Sequence, residues 1–150
     1  MTESPWAPRE SVSFWINRVS RSLLRAQDDA LKPLGFSVGQ LSVLRTLKSG
    51  EPTSLIELAR SAGVEPPSMT QVVARMERDD IVQRVPNPDD GRSALISLTD
   101  SAVKRLPSAR KALMDVEKNA IASLSQQDRE MLIDLLKKVG VRLGLAEELD

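Results

Sequence analysis

Gln71, Arg75 and Arg78 recur at steps of four and three residues within the run from Pro66 to Asp79, the spacing of one face of an α-helix. An amide and two guanidinium groups on an exposed helix face have the chemistry of base reading. Glutamine pairs bidentately with the adenine edge and arginine with guanine, and each such pair gives ~1–3 kcal/mol of discrimination. Ser68 and Thr70, near the start of the same run, offer hydroxyls that can position phosphates, while Arg78, a turn beyond Arg75, reaches backbone more readily than base. A second probe is Arg92, beside the tip of Pro86-Asn87-Pro88-Asp89-Asp90-Gly91-Arg92, where a guanidinium can enter a minor groove and read its negative potential. Asp90 either accepts backbone hydrogen bonds that shape this loop or orients the Arg92 guanidinium. Arg84 fits either a phosphate contact or an ion pair with the loop's acids.

Other chemistry is disfavoured by what the chain lacks. It contains no histidine and no cysteine, which removes the commonest general base, the usual zinc ligands and every nucleophilic or redox-active thiol. The carboxylate pairs Asp79-Asp80 and Asp89-Asp90 fall at a helix end and a turn, with no glycine-rich phosphate loop beside them. The expectation is therefore a protein that binds rather than catalyses, without cofactor or metal.

The elements that position these residues follow from periodicity and capping. Val12, Trp15, Ile16, Val19, Leu23, Ala26, Ala30 and Leu31 define one face of a helix from about Ser11 to Lys32, ended by Pro33 and Gly35. Ser37 and Gln40 form a capping box for a second helix with Leu41, Leu44 and Leu47 buried, stopping at Gly50. Ser54 and Glu57 cap a two-turn third helix ended by Gly63, and Pro66 and Pro67 open the fourth. In that fourth helix Met69, Val72, Val73 and Met76 share the arc opposite Gln71, Ala74, Arg75 and Arg78. Residues 81–85 and 93–98 are β-prone runs flanking the proline-rich loop, which predicts a hairpin. Thr99 caps a long helix to about Ser123, with a bend expected between Val103 and Pro107. Ser125 and Asp128 start a last helix with a stripe of Leu132, Leu135, Leu136, Val139 and Leu143, before the acidic tail Glu147-Glu148-Leu149-Asp150.

The order ααααββαα gives a mainly α fold with a small β-hairpin wing. Within it lies a short helix, a tight turn and a second helix with a polar outer face, followed at once by the hairpin: a winged helix-turn-helix. At 150 residues this is one ordinary domain's worth of chain. With 41% hydrophobic and 28% charged residues, no apolar run of membrane-spanning length and no secretory signal in Met1-Thr2-Glu3-Ser4-Pro5, it reads as a cytoplasmic globular protein.

Bulk charge argues the other way. The net charge is zero, and residues 49–98 hold five basic against eight acidic groups, a net of −3. Residues 1–48 hold seven basic and four acidic, a net of +3, so Arg21, Arg25 and Lys32 are candidates for the missing phosphate contacts. The acidic balance keeps open a winged-helix protein-interaction module without DNA binding.

From Leu31-Lys32-Pro33-Leu34-Gly35-Phe36-Ser37 and Gln40-Leu41-Ser42-Val43-Leu44, through Glu57-Leu58-Ala59, to the Pro86–Arg92 loop with Leu98-Thr99, the chain resembles the MarR family of winged-helix bacterial transcription regulators. The resemblance implies dimerisation helices in residues 1–36 and 100–150 around a DNA-binding unit at 37–99. It also implies a homodimer on a pseudo-palindromic operator in double-stranded DNA, and repression relieved by a small aromatic or anionic effector. Gly91 departs from the pattern: similar sequences often carry a basic residue there, and its absence removes a phosphate contact.

Two further expectations come from the residues. The stripes from Val12 to Leu31 and Leu132 to Leu143 exceed what a winged core can cover, which predicts a homodimer. Phe14, Trp15 and Phe36 lie in or beside helices that would line a cleft between the two domains, with Arg18 or Arg45 placed to pair an anion; Trp15, Arg18, Phe36 and Arg45 are the candidate effector residues. Trp6 sits in a proline-flanked segment that either drapes over a partner chain or stays mobile.

Overall fold

The computed structural model describes residues 8–145; Trp6 and the acidic tail at 147–150 lie outside them. After a 3-10 turn at Pro8–Glu10, helix α1 spans Val12–Leu31, its first turn held by the Ser11 side chain, which accepts from the Phe14 amide at 3.3 Å. It ends where expected. A 3-10 turn at Lys32–Leu34 carries Pro33, and Gly35 follows at φ 79°, a left-handed conformation that costs glycine little.

The Gln40 side chain caps the Ser37 amide at 3.0 Å, and a short 3-10 turn at Val38–Gln40 leads into α2, Leu41–Leu47. Helix α3, Leu55–Ala62, starts on Ser54, whose side chain accepts from the Glu57 amide. The Glu57 carboxylate does not complete the expected box but pairs with Arg60 on the next turn. Gly63 ends α3 at φ 66°, and α4 runs from Pro66 to Arg78 with both prolines in its first turn.

Strands β1, Val82–Pro86, and β2, Ala94–Leu98, pair antiparallel with Arg84 opposite Ile96. Sequence periodicity missed a third participant. Thr53 exchanges both backbone hydrogen bonds with Ile96, at 2.9 and 2.8 Å, so the root of the hairpin is tied to the residue just before α3. A single-residue bridge leaves no alternating pattern to read.

Helix α5 is continuous from Asp100 to Ala120 across Pro107, whose ring leaves the Val103 carbonyl without its usual amide donor. Helix α6, Gln126–Arg142, opens with a reciprocal capping box between Ser125 and Asp128.

The buried core joins Val43, Leu44, Leu47, Leu58, Met69, Val73, Met76, Ile81 and Ile96 of the winged region to Leu31 and Phe36 before it and Ala102 and Ala109 of α5. The chain accordingly forms two compact units, one ending at Val116 and the other beginning at Glu117. The end of α1 and the part of α5 that carries Ala102 and Ala109 contribute to the winged core.

Candidate nucleic-acid interface

Helix α4 is amphipathic in the sense its sequence predicts. Met69, Val73 and Met76 are buried, Val72 is half-buried, and Ser68, Thr70, Gln71, Ala74, Arg75 and Arg78 are exposed. Burial of the methionines and valine fixes the rotation of the helix about its own axis. That rotation decides which side chains face outward.

Among the described residues the side chains of Gln71, Arg75 and Arg78 make no hydrogen bond or ion pair. Three polar groups on one exposed face therefore keep their full donor capacity for a ligand. Thr70 differs. Its hydroxyl donates to the Pro66 carbonyl at 3.0 Å, so its proton is committed to the helix unless the rotor turns, whereas Ser68 has an unengaged hydroxyl.

Arg84 does not pair with the loop's acids. Its Nε donates to Glu77 Oε1 at 2.9 Å, bridging the strand to α4. In the hairpin register Arg84 stands opposite the buried Ile96, and side chains opposite each other share one sheet face. This places its stem toward α4 rather than toward the loop tip.

The wing loop is ordered by its own polar groups. Asp90 Oδ1 accepts from the Arg92 amide at 3.0 Å, so of the two roles open to Asp90 the backbone one is seen. Asn87, which the sequence reading did not single out, accepts from the Asp89 amide at 3.0 Å and donates to Ser93 Oγ at 3.2 Å. The signal was present: Asn-x-Asp in a proline-flanked loop is the pattern of an Asx turn. The Arg92 side chain is exposed on this braced loop, and its guanidinium makes no hydrogen bond or ion pair among the described residues.

A groove of about 900 Å³ runs along one flank of α4, lined by Gln71, Val72, Arg75, Glu77 and Arg78 on one side and by Ser37, Gly39 and Gln40 on the other. None of the four candidate effector residues lines it. Phe36 is a core residue, 4% exposed, with the Arg105 guanidinium over its ring, so it has no face open to a cleft. Trp15 is exposed on α1 and donates its indole N–H to the Arg9 carbonyl at 2.9 Å. Arg18 lies over the Phe14 ring, 5.8 Å from its centroid, and Arg45 is exposed on α2. Trp15 and Arg18 thus engage groups on or next to α1, while Phe36 is covered from α5 by Arg105. Arg21, Arg25 and Lys32 are exposed.

No group of three or more acidic side chains that could hold a metal ion occurs among the described residues. No helix among them is long and apolar enough to cross a membrane.

Residues 36–94 match the model of the MarR family. The chain is 35% identical over 132 residues to an uncharacterized HTH-type transcriptional regulator of Mycobacterium bovis, spanning 88% of this chain and 90% of that one. It is 24% identical to the HTH-type transcriptional repressor NicR of Pseudomonas putida, over 93% of this chain and 88% of the relative. In fold it is similar to a mutant MarR of E. coli crystallised with operator DNA, at a TM-score of 0.79 and 23% identity, covering 91% of this chain and 99% of that one. These likenesses favour a DNA-binding regulator over a protein-interaction module.

Proposed function

Because this chain belongs to the MarR family and is a DNA-binding transcription regulator, we propose that it works as a homodimeric repressor on a pseudo-palindromic operator. Its two α4 helices enter successive major grooves, and Arg92 of each wing enters the flanking minor groove. The observation that carries this reading is the unpartnered outer face of α4, where Gln71, Arg75 and Arg78 stand free while Met69, Val73 and Met76 fix the helix from behind. Gln71 and Arg75 read bases; Ser68, Arg78 and, once its rotor turns, Thr70 hold phosphates. Arg84 joins them only by leaving Glu77, and Asp90 acts through the loop it shapes.

Two-fold symmetry is supported by apolar surface that one chain leaves uncovered. On α6, Met131, Leu132, Ile133, Leu135, Leu136 and Val139 are all exposed, spread over roughly 200° of the helix at 100° per residue. An ordinary surface helix buries an arc of roughly 100°, so α6 needs more than one neighbour. Val12, Trp15 and Val19 of α1 are likewise exposed. A second copy supplies the cover, making α1 and the C-terminal helices the dimerisation region and residues 37–99 the reading head.

Repression follows the likeness to a named repressor. A small aromatic or anionic effector would shift the spacing of the heads, which must match half-sites ~34–36 Å apart. The protein acts in the cytoplasm, by binding rather than catalysis.

In-vitro selection from a random duplex pool at two salt concentrations, with Arg92→Ala as control, tests the reading. The expected outcome is an inverted repeat, weakened in the variant and at the higher salt. No enrichment at low salt would overturn it.

A further inference from the structure

Leu34, Gly35 and Phe36 join the end of α1 to the turn that opens the helix-turn-helix, and a single side chain from α5 holds all three. Arg105 Nη1 donates to the Leu34 carbonyl at 2.7 Å, across 71 residues of sequence. Its guanidinium lies 4.8 Å from the centroid of the Phe36 ring. At Gly35 a Cβ would come within 2.6 Å of Nη1, so a side chain there would push the guanidinium aside. Nε donates to the Ser101 carbonyl at 3.2 Å, which fixes the fork from its own helix.

No carboxylate pairs with Arg105 among the described residues. A half-buried cation whose partners are carbonyls and an aromatic face is held by shape and direction rather than by charge neutralisation. A lysine could keep one hydrogen bond to Leu34 but has no plane to lay on Phe36. Phe36 is itself anchored in the winged core, so the contact links α5, the α1 junction and the reading unit at one point.

We propose that Arg105 is a positioning residue for DNA binding: it latches the Leu34–Phe36 connection to α5, so that the reading head moves with α1 and α5 as one piece. In the dimer, on whose existence the DNA part of this inference rests, the latch keeps the two heads in a fixed half-site register.

Two measurements on the full-length dimer test it, comparing wild type with Arg105→Ala and Arg105→Lys. The first is hydrogen exchange over residues 32–40, which needs no DNA. Loss of a charge-assisted hydrogen bond should speed exchange there roughly tenfold or more in Arg105→Ala, with the α4 core still protected. The second is affinity for the selected operator and for the same operator with one base pair inserted between half-sites, a rotation of roughly 35°. Wild type should prefer the native spacing by about tenfold or more, and Arg105→Ala by threefold or less, with Arg105→Lys between them.

Unchanged exchange in Arg105→Ala overturns the latch. Faster exchange with an intact spacing preference overturns its role in register. A wild type with no spacing preference overturns the coupled-head reading and with it the register role, while the exchange result still decides the latch. Should Arg105→Ala fail to fold, Arg105→Met keeps the apolar stem packed, removes the guanidinium, and should show both effects.

Discussion

The Thr99 hydroxyl donates to the Asp80 carbonyl at 2.7 Å and accepts from the Ala102 amide at 3.1 Å, so one side chain joins the turn after α4 to the first turn of α5. Thr99 is 7% exposed, and its own amide donates to the Ile81 carbonyl at 3.0 Å. Thr99→Val keeps the shape but removes the donor to the Asp80 carbonyl and leaves the buried Ala102 amide without its acceptor. It should cost about 2 kcal/mol and lower the melting midpoint by roughly 4–8 °C in a calorimetric scan, with Thr99→Ser recovering most of the loss.

Asp80 supplies that carbonyl from a left-handed conformation, φ 57°, the one non-glycine residue with positive φ among those described. Asp80→Gly relieves the backbone cost while leaving the carbonyl in place. The melting midpoint should rise by roughly 1–3 °C despite glycine's larger unfolded-state entropy; a fall would show that the aspartate side chain contributes more than its backbone strain removes.

Glu77 holds Arg84 beside the reading helix with both side chains substantially exposed, at 32% and 47%, so the pair adds little stability. Its effect should appear in binding. Glu77→Gln frees one guanidinium and removes one negative charge beside DNA, so the slope of log affinity against log salt should steepen by about 0.9. Adding Arg84→Ala should return the slope to the wild-type value; a slope insensitive to Glu77→Gln would mean that Arg84 never reaches a phosphate.

If the wing loop meets DNA as proposed, removing an acid from it should by charge alone tighten binding. Asp90→Ala should instead weaken it several-fold, because the Asp90 carboxylate orders the loop through the Arg92 amide. Asp90→Asn retains an acceptor for that amide and should bind at least as well as wild type. Titrating labelled operator with the three proteins at one ionic strength separates loop order from charge.

Arg75 and Arg78 share an exposed helix face, and the proposed reading gives them different roles. Arg75→Ala should relax the base preference at one operator position by ~1–3 kcal/mol. Arg78→Ala should weaken all sequences alike and flatten the salt slope by about 0.9. Repeating the selection with each variant tells them apart.

The helices were legible because their signals are local. Capping pairs such as Ser37 with Gln40 and Ser125 with Asp128, the prolines opening α4, and the stripe of Met69, Val73 and Met76 all operate within a turn or two of chain. The wing hairpin was legible from its turn formers for the same reason. What escaped the sequence was long-range. Arg105 reaches Leu34 across 71 residues and Thr99 reaches Asp80 across 19, and no period or spacing in a single chain announces either pair. Arg84 showed a different limit: Glu77 lies seven residues before it and the loop's Asp89 and Asp90 five and six after, so separation along the chain does not choose between them. The stripe on α1 was read correctly as apolar, yet Val12 and Val19 lie exposed, because apolar periodicity reports that a face needs covering and not which chain covers it.

The backbone bridge between Thr53 and Ile96 has a mechanical consequence. A two-stranded hairpin attached only at its ends can swing, and a probe at its tip would then grip and let go independently of the helix beside it. Here Ile96 gives both of its backbone groups to Thr53 at the threshold of α3, while the strand that carries it is paired with β1 along its other edge. Force applied at Arg92 is delivered through β2 into the base of the helix-turn-helix instead of being absorbed by a loose arm. Wing and reading helix should therefore leave the duplex together, giving one dissociation phase rather than two.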